Sequence, residues 1–550
     1  MAYVALRNHS WYSLLDGTMA VKEIVAAAVE YGMPAVGLVD RDTLAGAVEF
    51  YKKARAAGIH PVIGSEVTLE GGGTLVLLVE NAEGYRNLCR LLTTRIEHPG
   101  GVTLDDLRRF SSGLICLGGI GSLGYREIYG RNFALAISPG DRIPRGLRIP
   151  LVATVDAHYR RPEDRLHYDI LASMRTLTML NQAHPEKHGA GNYYLHSPDK
   201  IMQYFNFTPL AAAETHGTPA RCQFDFQLGE ILFPPFTTPP GETPTGVLRR
   251  LAREGVERRY APEPKAEVYS RLERELNVIE EVGYAEYFLI FADIVEWANR
   301  HGIETLARGS AAGSLVCYAL AISNVCPFRF GLSFERFLNR ERMQFAKLAD
   351  IDLDLPWDRR DEVIEYVFER YGAEHVAMIG AFNTFHGRAA IVDIAKVYGI
   401  PESEVRRFTE HLPYFMGDAE AMVQATPECR HLPWREEPYS TILKMVREYN
   451  RSDLFCLPSV QEGFGIVFLE AMAAGKPIVA ARAGAIPEVV EQGLLVEPES
   501  EEALADGIRR LYRDPDLRSS LAAAGHSIVE RYDASKVAAM FLAEVEGTLK

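Results

Sequence analysis

Short apolar runs alternate with amphipathic stretches from residue 1 to about residue 195. Ala35 to Val39, Pro61 to Ile63, Leu75 to Val79 and Pro150 to Thr154 have the length and β-branched content of buried strands. Val21 to Tyr31, Ala45 to Ala57 and Arg161 to Met174 instead repeat apolar residues at helical spacing. This β/α alternation predicts an α/β domain with a barrel-like rhythm. Polar residues follow the ends of the runs: His9, Asp40, Glu66, and Asp156 with His158. In β/α barrels that is the face on which sites are built.

Phe233 to Gly246 holds five prolines and reads as a linker. A helical stretch follows with Leu272, Leu276 and Ile279 on one face, ending near Gly283. Ala349 to Leu355 then switches to strict alternation, followed by a predicted helix from Arg359 to Tyr371 and an apolar run from His375 to Ile379. Near residue 447 the pattern changes again. Asp453 to Leu457, a Gly-rich turn, a helix and Pro477 to Ala481 restart α/β alternation, with three predicted helices running to Lys550. There is no internal repeat.

Composition narrows the class. The 550 residues are 47% apolar and 24% charged, enough for several globular domains. The net charge of -15 is spread along the chain, so nucleic acid contacts must come from local Lys/Arg clusters. Cys89, Cys116, Cys222, Cys317, Cys326, Cys429 and Cys456 are scattered and form no C-x-x-C pair, which points to reduced thiols in a cytoplasmic protein. No signal peptide or membrane-length apolar run is expected.

The alternation at 349 to 355 puts Asp350, Asp352 and Asp354 on one strand face and Ile351, Leu353 and Leu355 on the other. Carboxylates about 7 Å apart repel unless cations compensate, so the face reads as a Mg²⁺ site for phosphoryl transfer or as a solvated acidic edge. Upstream, Arg308-Gly-Ser-Ala-Ala-Gly-Ser314 opens a predicted helix through Ile322. Small residues there would let backbone N–H groups approach a triphosphate, and Arg308 could clamp its oxygens. A phosphate cradle shortly before a metal strand is the pairing nucleotidyl transfer requires.

Leu6 to Gly17, Gly84 to Leu92, Ala307 to Ser314, Phe334 to Asn339 and Asp350 to Asp354 resemble the bacterial DNA polymerase III alpha subunit, with a flavour closer to the error-prone paralogue. The resemblance covers roughly residues 1–446. It implies a PHP (β/α) barrel over 1–195, a linker with connecting helices over 196–265, and a partial α+β, polymerase-β-like palm over 266–400. A thumb-like helical start over 401–446 would follow. Asp352 and Asp354 would bind two Mg²⁺ ions, with Asp350 behind them, and Arg308, Gly309, Ser310, Gly313 and Ser314 would meet the incoming dNTP on primed DNA. The family's third carboxylate would fall about 150 residues beyond Asp354, where the resemblance has ended. Leu306-Ala307 stands where the family has Pro-Gly, and Arg340 where it has Pro.

Of the family's nine PHP metal-ligand positions, His9, Asp16, Glu66, Asp156 and His158 match, whereas Arg7, Arg41, Thr74 and Ile120 occupy the others. The remnant implies a structural barrel, with Arg7 and Arg41 pairing with the remaining carboxylates. His184, His188 and His196 show no ligand spacing and read as surface or linker residues.

Leu457 to Pro477 and Ala483 to Glu488 resemble the C-terminal half of a GT-B retaining glycosyltransferase of family 4, an α/β Rossmann-like half of a donor domain over 447–550. The resemblance implies nucleotide-sugar contacts at Glu462, Gly463, Gly465 and Glu470, while the family's acceptor domain and its Arg/Lys pair have no counterpart. Three readings follow: a polymerase III alpha-like nucleotidyltransferase inactive alone because its palm is truncated, a nucleotide-sugar transferase fragment with a recruited N-terminal module, or a non-catalytic scaffold or chimeric frame.

Overall fold

The computed structural model describes residues 3–98, 100–143, 147–189, 193–206, 209–228, 233–262, 265–339, 349–380, 387–412, 433–449, 455–457, 476–484, 486–498 and 500–529, with a few single positions besides. The chain is a mixed α/β multidomain protein with two compact units, residues 1–226 with 383–550, and residues 227–382.

In the first unit six strands lie side by side in chain order: β1 (Ala35–Leu38), β2 (His60–Thr68), β3 (Thr74–Val79), β4 (Leu114–Gly118), β5 (Phe133–Ile137) and β6 (Leu151–Ala153). β1 and β2 are parallel, as are β4, β5 and β6, but β3 runs antiparallel to both its neighbours. The sequence predicted uniform β/α alternation. The departure lies in the connection between β2 and β3, where Gly71, Gly72 and Gly73 all take positive φ in a hairpin turn too short for a helical crossover.

The segment from Val4 to His9 closes this sheet. On one side the Gly37 and Val39 N–H groups donate to the Ala5 and Asn8 carbonyls at 2.8 and 2.9 Å; on the other, Ala157 N–H donates to the Arg7 carbonyl at 3.1 Å and His9 N–H to the Ala157 carbonyl at 2.9 Å. Strand alternation then divides the apolar residues into two sets. Val76 and Leu78 of β3 join Val4, Leu6, Val62, Ile115, Leu117 and Val152 in one core. Leu75, Leu77 and Val79 face a second core with Ile24, Phe50 and Leu88 from helices Val21–Glu30, Ala47–Ala56 and Ala82–Glu97. The near-continuous apolar runs thus serve two buried faces.

Helix Arg165–Thr176 contributes Ile170 to a further cluster with Ile391, Ile394, Leu412, Ile442 and Val446. Helix Gly387–Val397, grouped with the partial palm by sequence, therefore packs within the first unit. Toward the C-terminus, β9 (Phe455–Leu457), β10 (Ile478–Ala481) and β11 (Leu494–Val496) form a parallel sheet, followed by helices Glu501–Arg513 and Pro515–Val529.

The second unit gathers helices Pro244–Arg259, Ala266–Glu281, Ala285–Arg300 and Leu315–Ala319 around Val256, Leu272, Leu276, Phe288 and Val316. A two-stranded antiparallel ribbon of β7 (Leu306–Arg308) and β8 (Asp352–Asp354) accompanies them. Three expectations change here. The aspartate strand shortens to three residues. The helix predicted from Arg308 to Ile322 becomes a 3₁₀ turn, Gly309–Gly313, and a single helical turn that stops before Ala321 at φ +63°. The run from His375 to Ile379 forms no strand and leaves Met378 and Ile379 exposed. No described helix is long and apolar enough to cross a membrane.

A side chain at Gly37 would place its Cβ 2.4 Å from the Leu6 carbonyl oxygen, in the closing segment itself. Gly37→Ala is expected to cost about 1–3 kcal/mol, as overpacking does. Urea unfolding of the full chain measures it, with Gly58→Ala, whose Cβ meets open space but whose φ is +72°, reporting the cost of backbone strain alone.

Candidate active site

The ribbon sets the geometry of the second unit's exposed acidic face. Arg308 stands opposite Asp352 and Leu306 opposite Asp354. Leu353 turns toward the helical core while Asp352 and Asp354 share the other face. Arg308 Nε lies 2.7 Å from the Asp354 carboxylate, a charge-assisted contact across the strands. Gly309 turns the chain at φ +68°, and a Cβ there would lie 3.9 Å from Asp352 Oδ2. Upstream of β8 the Ala349 and Ile351 N–H groups donate to the Tyr284 and Tyr287 hydroxyls at 3.1 and 3.0 Å, which fixes the strand's approach and leaves Asp350 exposed. The fold thus brings together Arg308, Gly309, Asp352 and Asp354, with Ser310 exposed next to them.

Gly313 and Ser314 do not join them. Both are buried, and a Cβ at Gly313 would meet the Ser333 carbonyl oxygen at 2.5 Å. The Ser314 hydroxyl donates to Glu275 at 3.1 Å and accepts from Cys317 N–H at 3.2 Å. Leu315 and Val316 N–H groups donate to the same carboxylate at 2.7 and 3.2 Å. The helix N-terminus expected to face a triphosphate is therefore filled by the protein's own anion. Arg271 completes the knot, donating from Nε to Glu275 at 2.9 Å and from Nη2 to the Gly313 and Leu332 carbonyls at 2.8 Å each. Burial pushes the Glu275 carboxyl up, against the opposing pull of Arg271, Val316 N–H and Ser314. Glu275 escaped the sequence reading, although a glutamate on the face of Leu272, Leu276 and Ile279 is a visible break in an apolar stripe.

In the barrel, the five matching PHP positions do converge. Glu66, Asp16, His9 and His158 are almost wholly buried. His9 and His158 stack with ring centroids 4.4 Å apart. His9 Nε2 lies 2.9 Å and His158 Nε2 3.2 Å from Asp156, and these three residues bring ligand atoms within 4.8 Å of one another. Arg7 Nη2 bridges Glu66 at 2.6 Å and Asp156 at 3.0 Å; Arg41 bridges Asp16 at 3.1 Å and Glu66 at 3.3 Å. Burial opposes ionisation of His9, but hydrogen bonds to Asp156 and Glu66 outweigh it and push the imidazolium pKa up to about 10. Burial likewise opposes ionisation of Asp156, yet Arg7 and His158 hold it well below the usual carboxylate range.

Two members of this cluster were missed by spacing. Arg175, at the end of helix Arg165–Thr176, reaches Asp16 at 3.2 Å. His188, read from sequence as surface or linker, lies 3.1 Å from His158 Nε2 and stacks on Tyr193, with its pKa pushed down to about 4 by burial and by His158. Asp40 is a brace: its carboxylate accepts from Ser10 N–H and from the Ser10 and Ser13 hydroxyls. Thr74 lines a cavity of about 250 Å³ with Arg7 and Thr154, and Ile120 packs against the outer core. Arg340, Glu462, Gly463, Gly465 and Glu470 lie outside the described residues.

Family models match three stretches: the PHP domain over residues 5–132, the bacterial DNA polymerase III alpha NTPase domain over 246–452, and glycosyl transferases group 1 over 440–527. The error-prone DNA polymerase of Symbiobacterium thermophilum is 36% identical over 79% of this chain and 45% of that protein. DNA polymerase III subunit alpha of Bacillus subtilis is 33% identical over 75% of this chain and 40% of that one, and the error-prone DNA polymerase of Pseudomonas aeruginosa 34% over 74% and 41%. The chain thus spans less than half the length of these curated relatives. A sucrose-phosphate synthase structure from Thermosynechococcus elongatus aligns at 21% identity with 34% of this chain and 56% of that one, with a TM-score of 0.18.

The chain carries the PHP and NTPase domains of bacterial DNA polymerase III alpha, with error-prone polymerases among its homologues, joined to a group 1 glycosyltransferase-like C-terminal domain.

Glu275→Ala strands two buried backbone donors, the Ser314 hydroxyl and most of the Arg271 charge, and is expected to cost about 3 kcal/mol. Hydrogen exchange across residues 309–319 of the full chain should accelerate in Glu275→Ala and much less in Glu275→Gln, which keeps an acceptor for the helix N-terminus.

Proposed function

We propose that the second unit is the nucleotidyl-transfer module of a DNA polymerase, acting on primed DNA and dNTPs, with Asp352 and Asp354 as its Mg²⁺ ligands and Arg308, Gly309 and Ser310 at the triphosphate. The observation that carries this reading is the pair of carboxylates, Asp352 and Asp354, on one solvent-facing strand face beside Arg308 and the positive-φ turn at Gly309. Such a donor set fits a hard divalent ion with water completing its shell. Bound Mg²⁺ would neutralise the phosphates and lower the barrier to attack by a primer hydroxyl. Arg308 would orient the phosphate oxygens, and the positive-φ turn at Gly309 would let backbone approach them without a side chain between.

The third carboxylate expected about 150 residues beyond Asp354 would fall within the stretch that matches glycosyl transferases. The chain by itself is therefore proposed to bind metal and dNTP without extending a primer. A second role, nucleotide-sugar binding at Glu462 and Glu470, is favoured by the group 1 match over 440–527 and by the parallel β9–β11 sheet. Calorimetry with UDP- and GDP-sugars tests it, with loss of heat in Glu470→Ala as the expected result.

Fluorescent dNTP titrations with Mg²⁺ should weaken about tenfold or more in Arg308→Ala and in Asp352→Asn with Asp354→Asn. Unchanged affinity in both variants would remove the site assignment. Primer extension should give no product; a Mg²⁺-dependent ladder lost in the double variant would show that catalysis needs nothing further.

A further inference from the structure

We propose that the barrel's ancestral metal centre is now a metal-independent ion-pair centre in which the guanidinium groups of Arg7, Arg41 and Arg175 take the places of divalent ions. Asp16, Glu66 and Asp156 come from three separate segments, and their side chains are 2%, 1% and 11% exposed, so each needs a compensating charge. Each has one. Arg7 Nη2 sits between Glu66 and Asp156, Arg41 Nη2 between Glu66 and Asp16, and Arg175 Nη2 against Asp16. Three carboxylates meet three guanidinium groups, so every buried anion has a cationic partner without an ion.

Geometry makes the two occupants exclusive. A divalent ion bridging Glu66 and Asp156 would stand about 2.0–2.3 Å from their oxygens. Arg7 Nη2 already holds the space between those oxygens, at 2.6 and 3.0 Å. The remaining ligand triad, His9, Asp156 Oδ1 and His158, shares one carboxylate with that guanidinium, which sits on Oδ2. His158 Nδ1 is taken by the Asp16 carbonyl at 2.8 Å, so its Nε2 alone faces the centre, beside His188. An ion bridging Glu66 and Asp156 could enter only by driving Arg7 off both carboxylates.

The arginines also perform the structural work of a metal. Arg7 ties the sheet-closing segment to β2 and to the end of β6, Arg41 ties the turn after β1 to β2 and to the 13–17 loop, and Arg175 ties that loop to helix Arg165–Thr176. The barrel therefore needs no divalent ion to stay closed.

The test uses the full chain carrying Asp352→Asn and Asp354→Asn, so that metal bound in the second unit does not contribute and the result is independent of the polymerase reading. Elemental analysis after exposure to Zn²⁺ or Mn²⁺ and desalting should find no stoichiometric metal, and EDTA should leave Tm unchanged. Arg7→Met with Arg41→Met should lower Tm by roughly 5–10 °C, since unpaired carboxylates remain buried. Arg7→His with Arg41→His should retain at least one Zn²⁺ per chain and become EDTA-sensitive; should that variant not fold, Arg7→Gln in the same metal assay serves instead. Retention of a full equivalent of metal that His158→Ala releases, or a Tm drop with EDTA in the arginine-bearing chain, would overturn the proposal.

Discussion

Neutralising carboxylates taken out of water is the constraint on which both units depend. In the barrel, closure of the sheet and neutralisation of its mouth are one event, because the segment that hydrogen-bonds to both sheet edges also carries Arg7 and His9 into contact with Glu66 and Asp156. Pulling that segment away would open the ring and strand charge in a low-dielectric interior together. Barrel topology and electrostatics therefore reinforce each other, as expected of a sequence whose local and global preferences agree.

The second unit solves the same problem differently. Glu275 is buried among the helices, and its carboxylate is met by Arg271, by a hydroxyl and by the N-terminus of the helix that follows the Gly-Ser turn. This anchors the turn from beneath and removes the helix N-terminus from ligand binding. What stays exposed is the start of the turn, Arg308 to Ser310, next to the aspartate ribbon. One buried ion pair thus sets how much of this seven-residue loop reaches the surface.

Much of the fold was legible because periodicity is a property of the chain. The runs at Ala35, Pro61, Leu75 and Pro150 became β1, β2, β3 and β6, and the helical stretches at Val21, Ala45 and Arg161 became helices within a few residues of their expected ends. The alternation at Asp350 to Asp354 correctly set one face polar and the other apolar, but over a shorter strand. The helix expected through Ile322 broke early because side-chain periodicity does not report the positive φ at Ala321. Arg175 and His188 were illegible because no local spacing links them to residues 9, 16 and 156.

By itself the sequence determined strands β1, β2, β3 and β6, the helices near Val21, Ala45 and Arg161, and the family motifs, since each rests on residue type and local spacing. Only the tertiary structure decided the antiparallel insertion of β3, the arginines in the barrel mouth and the loss of Ser314 to the core. The reason is physical: a charge's partner is whatever the fold brings within about 3 Å of it, and that distance is unrelated to separation along the chain.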